Sequence, residues 1–301
     1  MDKIKFTRMK DTLSVKVRIL NAFVDGNRGG NPAGVVLDAD GLTNEEKLRI
    51  AAKVGLSETA FVSASTTADF KLDFFTPIRQ IPHCGHATIA TFSYLARLGK
   101  INGIHSSKET IDGNREILLD GDLAFMEQKP PLYTDAGPDI NPILASLGLS
   151  EHDILPHGPV TVVNTGNAFA IIPVRDQSAL EKIVPDFDAI TRISDRYDLI
   201  GYYVFCTQTD DPERDANSRM FGPRYGIPEE AGTGMAAGPL ACYLFDILGV
   251  KKEQFLIQQG WFMQPPSPSL IQVNLHLDKD KITKVMAGGK GKEMQTLEIM
   301  L

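Results

Sequence analysis

Strand-like segments of four to thirteen residues, rich in apolar side chains, recur along the chain and predict a strand-rich fold. Their enrichment in Val, Ile, Phe and Tyr is typical of strands that pack against a core. Most runs are too closely spaced to leave room for a helical crossover, so βαβ connections are not expected between most of them. The predicted strands are 15–24, 34–37, 70–75, 116–128, 160–164, 169–174, 200–207 and 270–277.

A helical period appears between the predicted strands. Residues 44–54 follow Thr43, a capping residue, and place their apolar side chains on one side. Shorter helices are predicted at 141–147, 179–183 and 188–193. Two further segments, 87–98 and 235–248, are small or apolar almost all round, and such helices must be buried on every side.

Similar local sequences precede the two apolar helices. Phe-x-Pro at 75–77 stands before Cys-Gly-His-Ala at 84–87, and Phe-x-Pro at 221–223 stands before Ala-Gly-Thr-Gly at 231–234. This weak repeat predicts an α+β fold of two lobes, each a curved sheet around one apolar helix. The predicted domains are 1–130 and 131–301, joined by a Pro-rich crossover, with the last strand as a candidate to return to the first lobe. Chance similarity of Gly- and Ala-rich helices stays open as the alternative.

Composition narrows the classes of partner. The 301 residues are 43% hydrophobic and 23% charged, which is typical of a globular protein with room for two cores. A net charge of −7 argues against nucleic acid and anionic membranes and favours a small-molecule substrate. The three cysteines lack metal-ligand spacing, so neither a disulfide nor a metal site is predicted. No apolar run approaches membrane-spanning length, and residues 1–6 lack a signal-peptide segment, so a cytoplasmic protein is expected.

Two short segments carry residues suited to proton transfer. Glu58 stands in a turn before an apolar stretch, and Gly85 and His86 open the first apolar helix. A solvated glutamate is a weak base towards a carbon acid, and burial beside apolar neighbours strengthens it. Backbone N–H groups at a helix start attract a carboxylate. The pattern therefore predicts a base and an anion-binding helix end, with a turn-capping role for Glu58 as the alternative.

Seven motifs spread over the chain are specific when taken together. They are Gly-Gly-Asn-Pro-Ala at 29–33, Leu-Ser-Glu-Thr-Ala-Phe at 56–61, Phe-Thr-Pro at 75–77, Cys-Gly-His-Ala-Thr at 84–88, Arg-Met-Phe at 219–221, Glu-Glu at 229–230 and Thr-Gly at 233–234. The chain resembles the PhzF family of phenazine-biosynthesis isomerase-like proteins, which have the diaminopimelate epimerase fold. The resemblance implies two pseudo-symmetric lobes, each a β-barrel around a central helix, with the active site in the cleft between them. It also implies cofactor-free chemistry and a homodimer.

The resemblance assigns roles to individual residues. Glu58 takes the position of the general acid/base, and His86 that of a residue that contacts the substrate or relays a proton. Glu230 falls where the family carries a substrate-contacting Asp. Further substrate contacts are implied at Ser57, Gly85, Thr233, Gly234 and Met235. Two alternatives stay open: His86 as a capping or packing residue, and Glu230 as a solvated carboxylate beside Glu229.

Cys84 is an additional candidate. In the epimerase branch of this fold, two cysteines act as paired acid and base, and Cys84 stands where the first belongs. Ala231 occupies the place of the second, so a two-thiol racemase cannot operate here. Cys84 is interpreted as a retained small residue, although its position at a helix N-terminus leaves it a candidate for reactivity. Cys206 and Cys242 are predicted core residues.

Departures from the family pattern bear on the substrate. Met235 replaces a hydroxyl, Glu230 is longer than the usual Asp, and the later Gly-Arg-Pro-Ser pattern appears as Gln-Pro-Pro-Ser at 264–267. We therefore expect a small carboxylate-bearing substrate other than the phenazine precursor. The resulting hypothesis is a cofactor-independent isomerase in which Glu58 removes and redelivers a proton. The alternatives are an epimerase, racemase or dehydratase acting on an amino or imino acid, and a non-catalytic ligand- or protein-binding member of the family.

Overall fold

The computed structural model describes the backbone of residues 8–9 and 12–301. The first nine strands are β1 (Arg8–Met9), β2 (Thr12–Ala22), β3 (Asn31–Val36), β4 (Thr59–Ser63), β5 (Phe70–Phe75), β6 (Gln80–Ile81), β7 (His105–Thr110), β8 (Gly113–Asp120) and β9 (Leu123–Gln128). The others are β10 (Leu132–Asp135), β11 (Thr161–Asn164), β12 (Ala168–Pro173), β13 (Leu199–Cys206), β14 (Ala216–Gly222), β15 (Ile227–Glu230), β16 (Gln254–Gln259), β17 (Ser269–Asp278), β18 (Lys281–Lys290) and β19 (Lys292–Met300). The opening six residues, where no signal segment is predicted, lie outside the described residues.

Six α-helices interrupt the strands. They are α1 (Asn44–Val54), α2 (Gly85–Arg97), α3 (Ile140–Ala145), α4 (Gln177–Glu181), α5 (Phe187–Tyr197) and α6 (Gly234–Asp246), with 3₁₀ turns at Ala39–Gly41, Gly137–Asp139, Glu151–Asp153 and Pro223–Tyr225. These are the helices of the described residues, and none of them is long and apolar enough to cross a bilayer. The fold is therefore a sheet-rich α+β arrangement, as predicted.

The described chain divides into two compact units. Unit 1 contains the described residues up to Asn27, Asn31–Met126 and Gly289–Leu301, and unit 2 contains Arg28–Gly30 and Glu127–Gly288. The predicted domain division after residue 130 stays a prediction, because compact packing does not show that a unit folds by itself.

The sheet of unit 1 mixes antiparallel and parallel pairs. β2 pairs antiparallel with β19 and with β3, and β3 continues in parallel to β4. β4 pairs antiparallel with β5, which pairs antiparallel with β6 and in parallel with β7. β8 and β9 complete an antiparallel meander. Helices α1 and α2 lie in the chain between the partners of the two parallel pairs, because parallel strands need a crossover connection.

The sheet of unit 2 repeats this order of pairings. β10, β11 and β12 pair antiparallel in sequence, and β12 pairs in parallel with β13. β13 pairs antiparallel with β14, which pairs antiparallel with β15 and in parallel with β16. β17 and β18 follow antiparallel. Each unit thus contains two helical crossovers, which the spacing of the predicted strands does not indicate.

The predicted elements agree best with the structure where the sequence has a clear apolar pattern. The helix predicted at 44–54 and the strand predicted at 70–75 have these bounds in the structure. The single strand predicted over 116–128 is wrong, because a turn at Gly121, with φ at +60°, divides it into β8 and β9. The polar strands β7, β14 and β19 are not predicted, because their sequences contain no apolar run.

The two apolar helices are buried as predicted. Residues 86–95 of α2 and residues 236–245 of α6 are all buried. Within unit 1, α2 packs on β2, β3 and β19, and within unit 2, α6 packs on β17, β12 and β11. The amphipathic α1 begins with the predicted cap, since Thr43 Oγ1 accepts the Glu46 N–H and the Glu46 carboxylate accepts the Thr43 N–H.

A buried ion pair between Lys47 of α1 and Asp73 of β5 fixes this helix on the sheet. The Lys47 Nζ lies 2.6 Å from Asp73 Oδ2, and the two side chains are 7% and 9% exposed. We expect Asp73→Asn to lower the free energy of unfolding by about 3 kcal/mol, because it leaves an uncompensated buried ammonium. Urea unfolding measures this loss, with Asp38→Asn as the control.

Asp38 is the matched control because its partner lies at the surface. Its Oδ1 lies 3.9 Å from Lys100 Nζ, and both side chains are about half exposed. Asp38→Asn should therefore change the unfolding free energy by less than about 1 kcal/mol. Equal, small losses in the two variants would contradict the assignment of the Lys47 pair as a structural tie.

Candidate active site

The start of β4 positions Glu58. The Gly34 N–H of β3 donates to the Glu58 carbonyl oxygen at 3.0 Å, and Gly34 is the register partner of Thr59. A Cβ at Gly34 would lie 2.7 Å from Thr59 Oγ1, so only glycine permits this close approach. The backbone of Glu58 is therefore held by the parallel β3–β4 pair rather than by its own turn.

Three predicted site residues of unit 1 come together at the start of α2. Glu58 Oε2 lies 3.4 Å from His86 Nε2, with side chains 15% and 6% exposed respectively. Cys84, at the N-cap, places its Sγ 3.7 Å from His86 Nδ1. Among the described groups, none forms a hydrogen bond with Glu58 Oε2, although the atom is buried. The arrangement offers a carboxylate oxygen, an imidazole and a thiol within reach of one small reactant.

A fully buried lysine lies beside this end of α2. Lys108 of β7 is fully buried, donates to Thr88 Oγ1 at 2.6 Å and to His83 Nδ1 at 3.1 Å, and lies 5.1 Å from the Phe74 ring centre. Burial lowers the pKa of Lys108 to about 7. Burial, with the charges of Lys108 and Arg115, lowers the pKa of His83 to about 3. His83 is therefore neutral near pH 7 and accepts through Nδ1.

The hydroxyl group of Thr88 connects Lys108 to the start of α2. Thr88 Oγ1 donates to the Cys84 carbonyl oxygen at 2.6 Å while it accepts from Lys108. This hydrogen bond fixes the first turn of α2, where Gly85 and His86 present their backbone amides. The first N–H groups of a helix lack intrahelical acceptors and favour an anion at this end.

In unit 2, Gln259 organises the turn that carries Glu230 and Thr233. Its Oε1 accepts from the Thr233 N–H at 3.0 Å and from Tyr203 Oη at 2.9 Å. Its Nε2 donates to the Glu230 carbonyl at 2.7 Å and to Thr233 Oγ1 at 3.1 Å. The Thr233 hydroxyl in turn donates to Glu230 Oε2. All four hydrogen-bonding positions of the Gln259 amide are thus used, and the side chain is fully buried.

We expect Gln259→Met to lower the free energy of unfolding by about 2–4 kcal/mol, because it leaves buried N–H, C=O and hydroxyl groups without their partner. The control is Gln254→Met on the same strand, where the side chain is exposed and donates to Asn274 Oδ1 at 3.2 Å. Chemical denaturation of both variants measures the difference. A loss no larger at 259 than at 254 would refute the organising role.

An ion pair between Arg219 of β14 and Glu229 of β15 connects these two strands. Arg219 donates to Glu229 through Nε at 2.8 Å and Nη2 at 2.9 Å, and through Nη1 to the Leu180 carbonyl at 3.1 Å. Glu229 is therefore a structural partner of the arginine. Glu230 is half-buried and accepts a hydrogen bond from the Thr233 hydroxyl, and its role in substrate binding stays a prediction.

The remaining predicted substrate-contact residues lie just before β4 and at the starts of α2 and α6. Ser57 is exposed in the bend before β4, and Gly85 is the first residue of α2. Thr233 is the N-cap of α6 and Gly234 its first residue. The Met235 thioether accepts from Asn167 Nδ2 at 3.4 Å. The roles of these residues in substrate binding stay predictions.

The three cysteines differ in their surroundings. All are free thiols and buried, and Cys206 and Cys242 are core residues, as predicted. Burial raises the pKa of Cys206 to about 11 and also raises the pKa of Cys242. Both thiols are therefore protonated near neutral pH and chemically quiet.

The sequence does not indicate Lys108, His83 or the role of Gln259. Lys108 lies in a polar strand whose alternate positions Ser106, Lys108 and Thr110 point inward. A strand alternation with polar residues on the inner face carries no hydrophobic signal. The one available signal for His83 is its position directly before the Cys-Gly-His motif.

Comparison with known proteins shows the family to which this chain belongs. Residues 20–295 match the family of phenazine biosynthesis-like proteins. The chain is 33% identical over 234 residues to an uncharacterized isomerase of Escherichia coli O157:H7, covering 75% of this chain and 77% of that protein. It is 30% identical over 291 residues to a trans-2,3-dihydro-3-hydroxyanthranilate isomerase of Pseudomonas chlororaphis, covering 91% and 95%.

A solved structure agrees with these sequence relatives. The Bacillus anthracis phenazine biosynthesis protein of the PhzF family superposes with a TM-score of 0.87 at 27% identity, covering 96% of this chain and 99% of that one. The chain belongs to the phenazine biosynthesis-like (PhzF) family. It is an enzyme of the isomerase type that this family contains.

Proposed function

We propose that this protein is a cofactor-independent isomerase that moves a proton on a small carboxylate-bearing substrate, with Glu58 as the general acid/base. The observation that carries the proposal is the 3.4 Å approach of Glu58 Oε2 to His86 Nε2 at the start of the buried helix α2. A carboxylate and an imidazole in contact are sufficient for proton transfer without a further reactive group.

The geometry suits abstraction and redelivery by one residue. Glu58 is anchored through its backbone, and its Oε2 is not engaged by a hydrogen bond from the described groups, so the oxygen is available to take a proton from carbon. Protonated Glu58 then returns the proton to a second carbon of the substrate, and the double bond shifts. His86 orients the substrate or stabilises the charge that develops beside Glu58.

We place the substrate carboxylate at the N-termini of helices α2 and α6 in this proposal. The backbone amides of Gly85 and His86 in unit 1 and of Gly234 in unit 2 belong to the first turns of buried helices, where an anion is favoured. Ser57, Thr233, Glu230 and the half-buried Met235 complete the proposed set of contacts. An apolar thioether at 235 and a long carboxylate at 230 favour a substrate other than dihydro-hydroxyanthranilate.

The architecture proposed with this function is the two-lobed one. The identical order of strand pairings in the two units supports pseudo-symmetric lobes, each a curved sheet around a central helix, α2 or α6. A cytoplasmic homodimer is part of the same proposal.

Proton NMR in D₂O tests the function directly. The 301-residue protein is incubated with dihydro-hydroxyanthranilate and with a panel of small amino, hydroxy and unsaturated acids. Enzyme-dependent deuterium uptake at a carbon next to the carboxylate system, followed by a shifted double bond, is the expected result. Absence of both deuterium uptake and a shifted double bond across the panel, while the protein binds a panel member in the same samples, would overturn turnover and favour the non-catalytic alternative.

A further inference from the structure

Glu58, Cys84 and His86 form a set of three different metal-binding donor types. One ligand atom from each residue lies within 4.8 Å of the other two. The sequence predicts no metal site, because the cysteines are far apart and Glu58 is 26 positions before Cys84. The three side chains nevertheless come together in the structure, because Glu58 directly precedes β4 and the other two residues lie at the start of α2.

The distances match a tetrahedral ion. With metal–oxygen and metal–nitrogen bonds of about 2.0–2.1 Å, two tetrahedral ligand atoms lie about 3.3 Å apart. Glu58 Oε2 and His86 Nε2 are 3.4 Å apart. A sulfur ligand with a bond of about 2.3 Å should lie about 3.6 Å from that nitrogen. Cys84 Sγ lies 4.0 Å from His86 Nε2, so this sulfur stands slightly farther away than a tetrahedral ion requires.

A second observation points to a ligand at the same place. Glu58 Oε2 has almost no exposed surface and forms no hydrogen bond with any group in the described part of the chain. A carboxylate oxygen buried without a hydrogen bond is unfavourable, and the 3.4 Å contact with His86 Nε2 compensates this cost only when the imidazole is protonated. The side chains retain 15% exposure at Glu58 and 6% at His86, so a small ion can reach them.

We propose that Glu58, Cys84 and His86 bind Zn²⁺ through Oε2, Sγ and Nε2, with a fourth position left to water. Zinc accepts this combination of carboxylate, thiolate and imidazole, whereas Mg²⁺ requires oxygen ligands. On binding, the Cys84 thiol loses its proton to solvent and the zinc–sulfur bond replaces the S–H bond. Because the ion occupies the oxygen that is the proposed base, zinc inhibits the isomerase reversibly. This inhibitory consequence rests on the proposed function, whereas the binding does not.

Cobalt chloride tests the binding without turnover. Co²⁺ takes the same tetrahedral ligands as Zn²⁺, and a thiolate ligand gives a near-ultraviolet charge-transfer band. We expect one Co²⁺ per chain with this band, displacement of the band by Zn²⁺, and no displacement by Mg²⁺. In Cys84→Ser the band should vanish and Zn²⁺ affinity should fall by more than the roughly 10–100-fold that loss of an outer-shell partner costs.

The controls separate the site from other thiols and from misfolding. Cys206→Ser and Cys242→Ser should retain the Cys84 band, because those thiols are buried core groups of unit 2. Glu58→Gln should keep the band but lose Zn²⁺ affinity. A band that persists in Cys84→Ser, or Zn²⁺ affinity that is unchanged in Glu58→Gln, would overturn the site. Zinc binding that leaves deuterium uptake unchanged would overturn only the inhibition.

Discussion

Glu58→Gln is expected to lower the rate of deuterium uptake into the substrate by about 10²–10⁴-fold, the range that one positioned general acid/base contributes. The amide keeps the size and shape of the carboxylate but cannot accept a proton from carbon. Initial rates by proton NMR in D₂O, at saturating and at low substrate, measure the loss. Because proton transfer occurs in the transition state, kcat should fall more than KM changes.

Unfolding measurements distinguish lost chemistry from lost structure. The buried Glu58 Oε2 has no hydrogen bond from the described groups, so the neutral amide should leave thermal stability unchanged or raise it. Glu45→Gln, an exposed change on α1, should leave both rate and stability as they are. A Glu58→Gln variant with a rate within about threefold of the parent would assign Glu58 a positioning role only, since such a change is far below the usual acid/base contribution.

The parts of the fold that the sequence predicts are those in which one residue type decides the local structure. Helices α2 and α6 are apolar all round, and their burial follows directly. Strand β5 and helix α1 have a clear apolar period or a cap. The hairpin of β8 and β9 is mispredicted because its turn, at Gly121, interrupts an otherwise continuous pattern. Strands such as β7 are stabilised by their neighbours in the sheet and carry no pattern of their own.

Some residues of the candidate site are likewise predictable from the sequence, and others are not. Glu58, Cys84 and His86 are predictable because each lies in a short sequence motif that can be recognised without knowledge of the distant strand pairings. Their mutual approach depends on the parallel β3–β4 pair, a pairing between distant segments. Gln259 and Lys108 are polar residues placed inward by such pairings, and only the partners around them show what they do.

Lys108 carries the second large expected effect, a rise in stability with pH above neutrality. Its pKa is about 7 in the folded protein, against an ordinary value of 10.5, because burial disfavours the ammonium form. Between these pH values the unfolded chain binds more protons than the folded chain, so the free energy of unfolding rises with pH. Across the whole interval this linkage amounts to about 4–5 kcal/mol. The depressed pKa of His83 acts separately, between about pH 3 and 6.5.

Lys108→Met should remove this pH dependence. Methionine fills a similar volume beside Phe74, and Thr88 keeps its hydrogen bond to the Cys84 carbonyl, so the main change is loss of the buried ammonium. Urea unfolding of the parent and of the variant from pH 6 to 9.5 measures the difference. The variant should be the more stable at pH 6–7, and the difference should shrink steadily as pH rises.

From about pH 7 upward, the difference between the two pH profiles isolates Lys108. Groups away from Lys108 contribute equally to both proteins, and His83, whose pKa the charge of Lys108 helps to lower, titrates below this range. Lys16→Met, an exposed change on β2, should give a flat difference over the same range. A flat difference for Lys108→Met would mean that the folded protein accommodates the charge without cost. A variant that is less stable at pH 6 would mean that the hydrogen bonds of Lys108 to Thr88 and His83 outweigh its desolvation, and that the charged lysine is a structural tie for the start of α2.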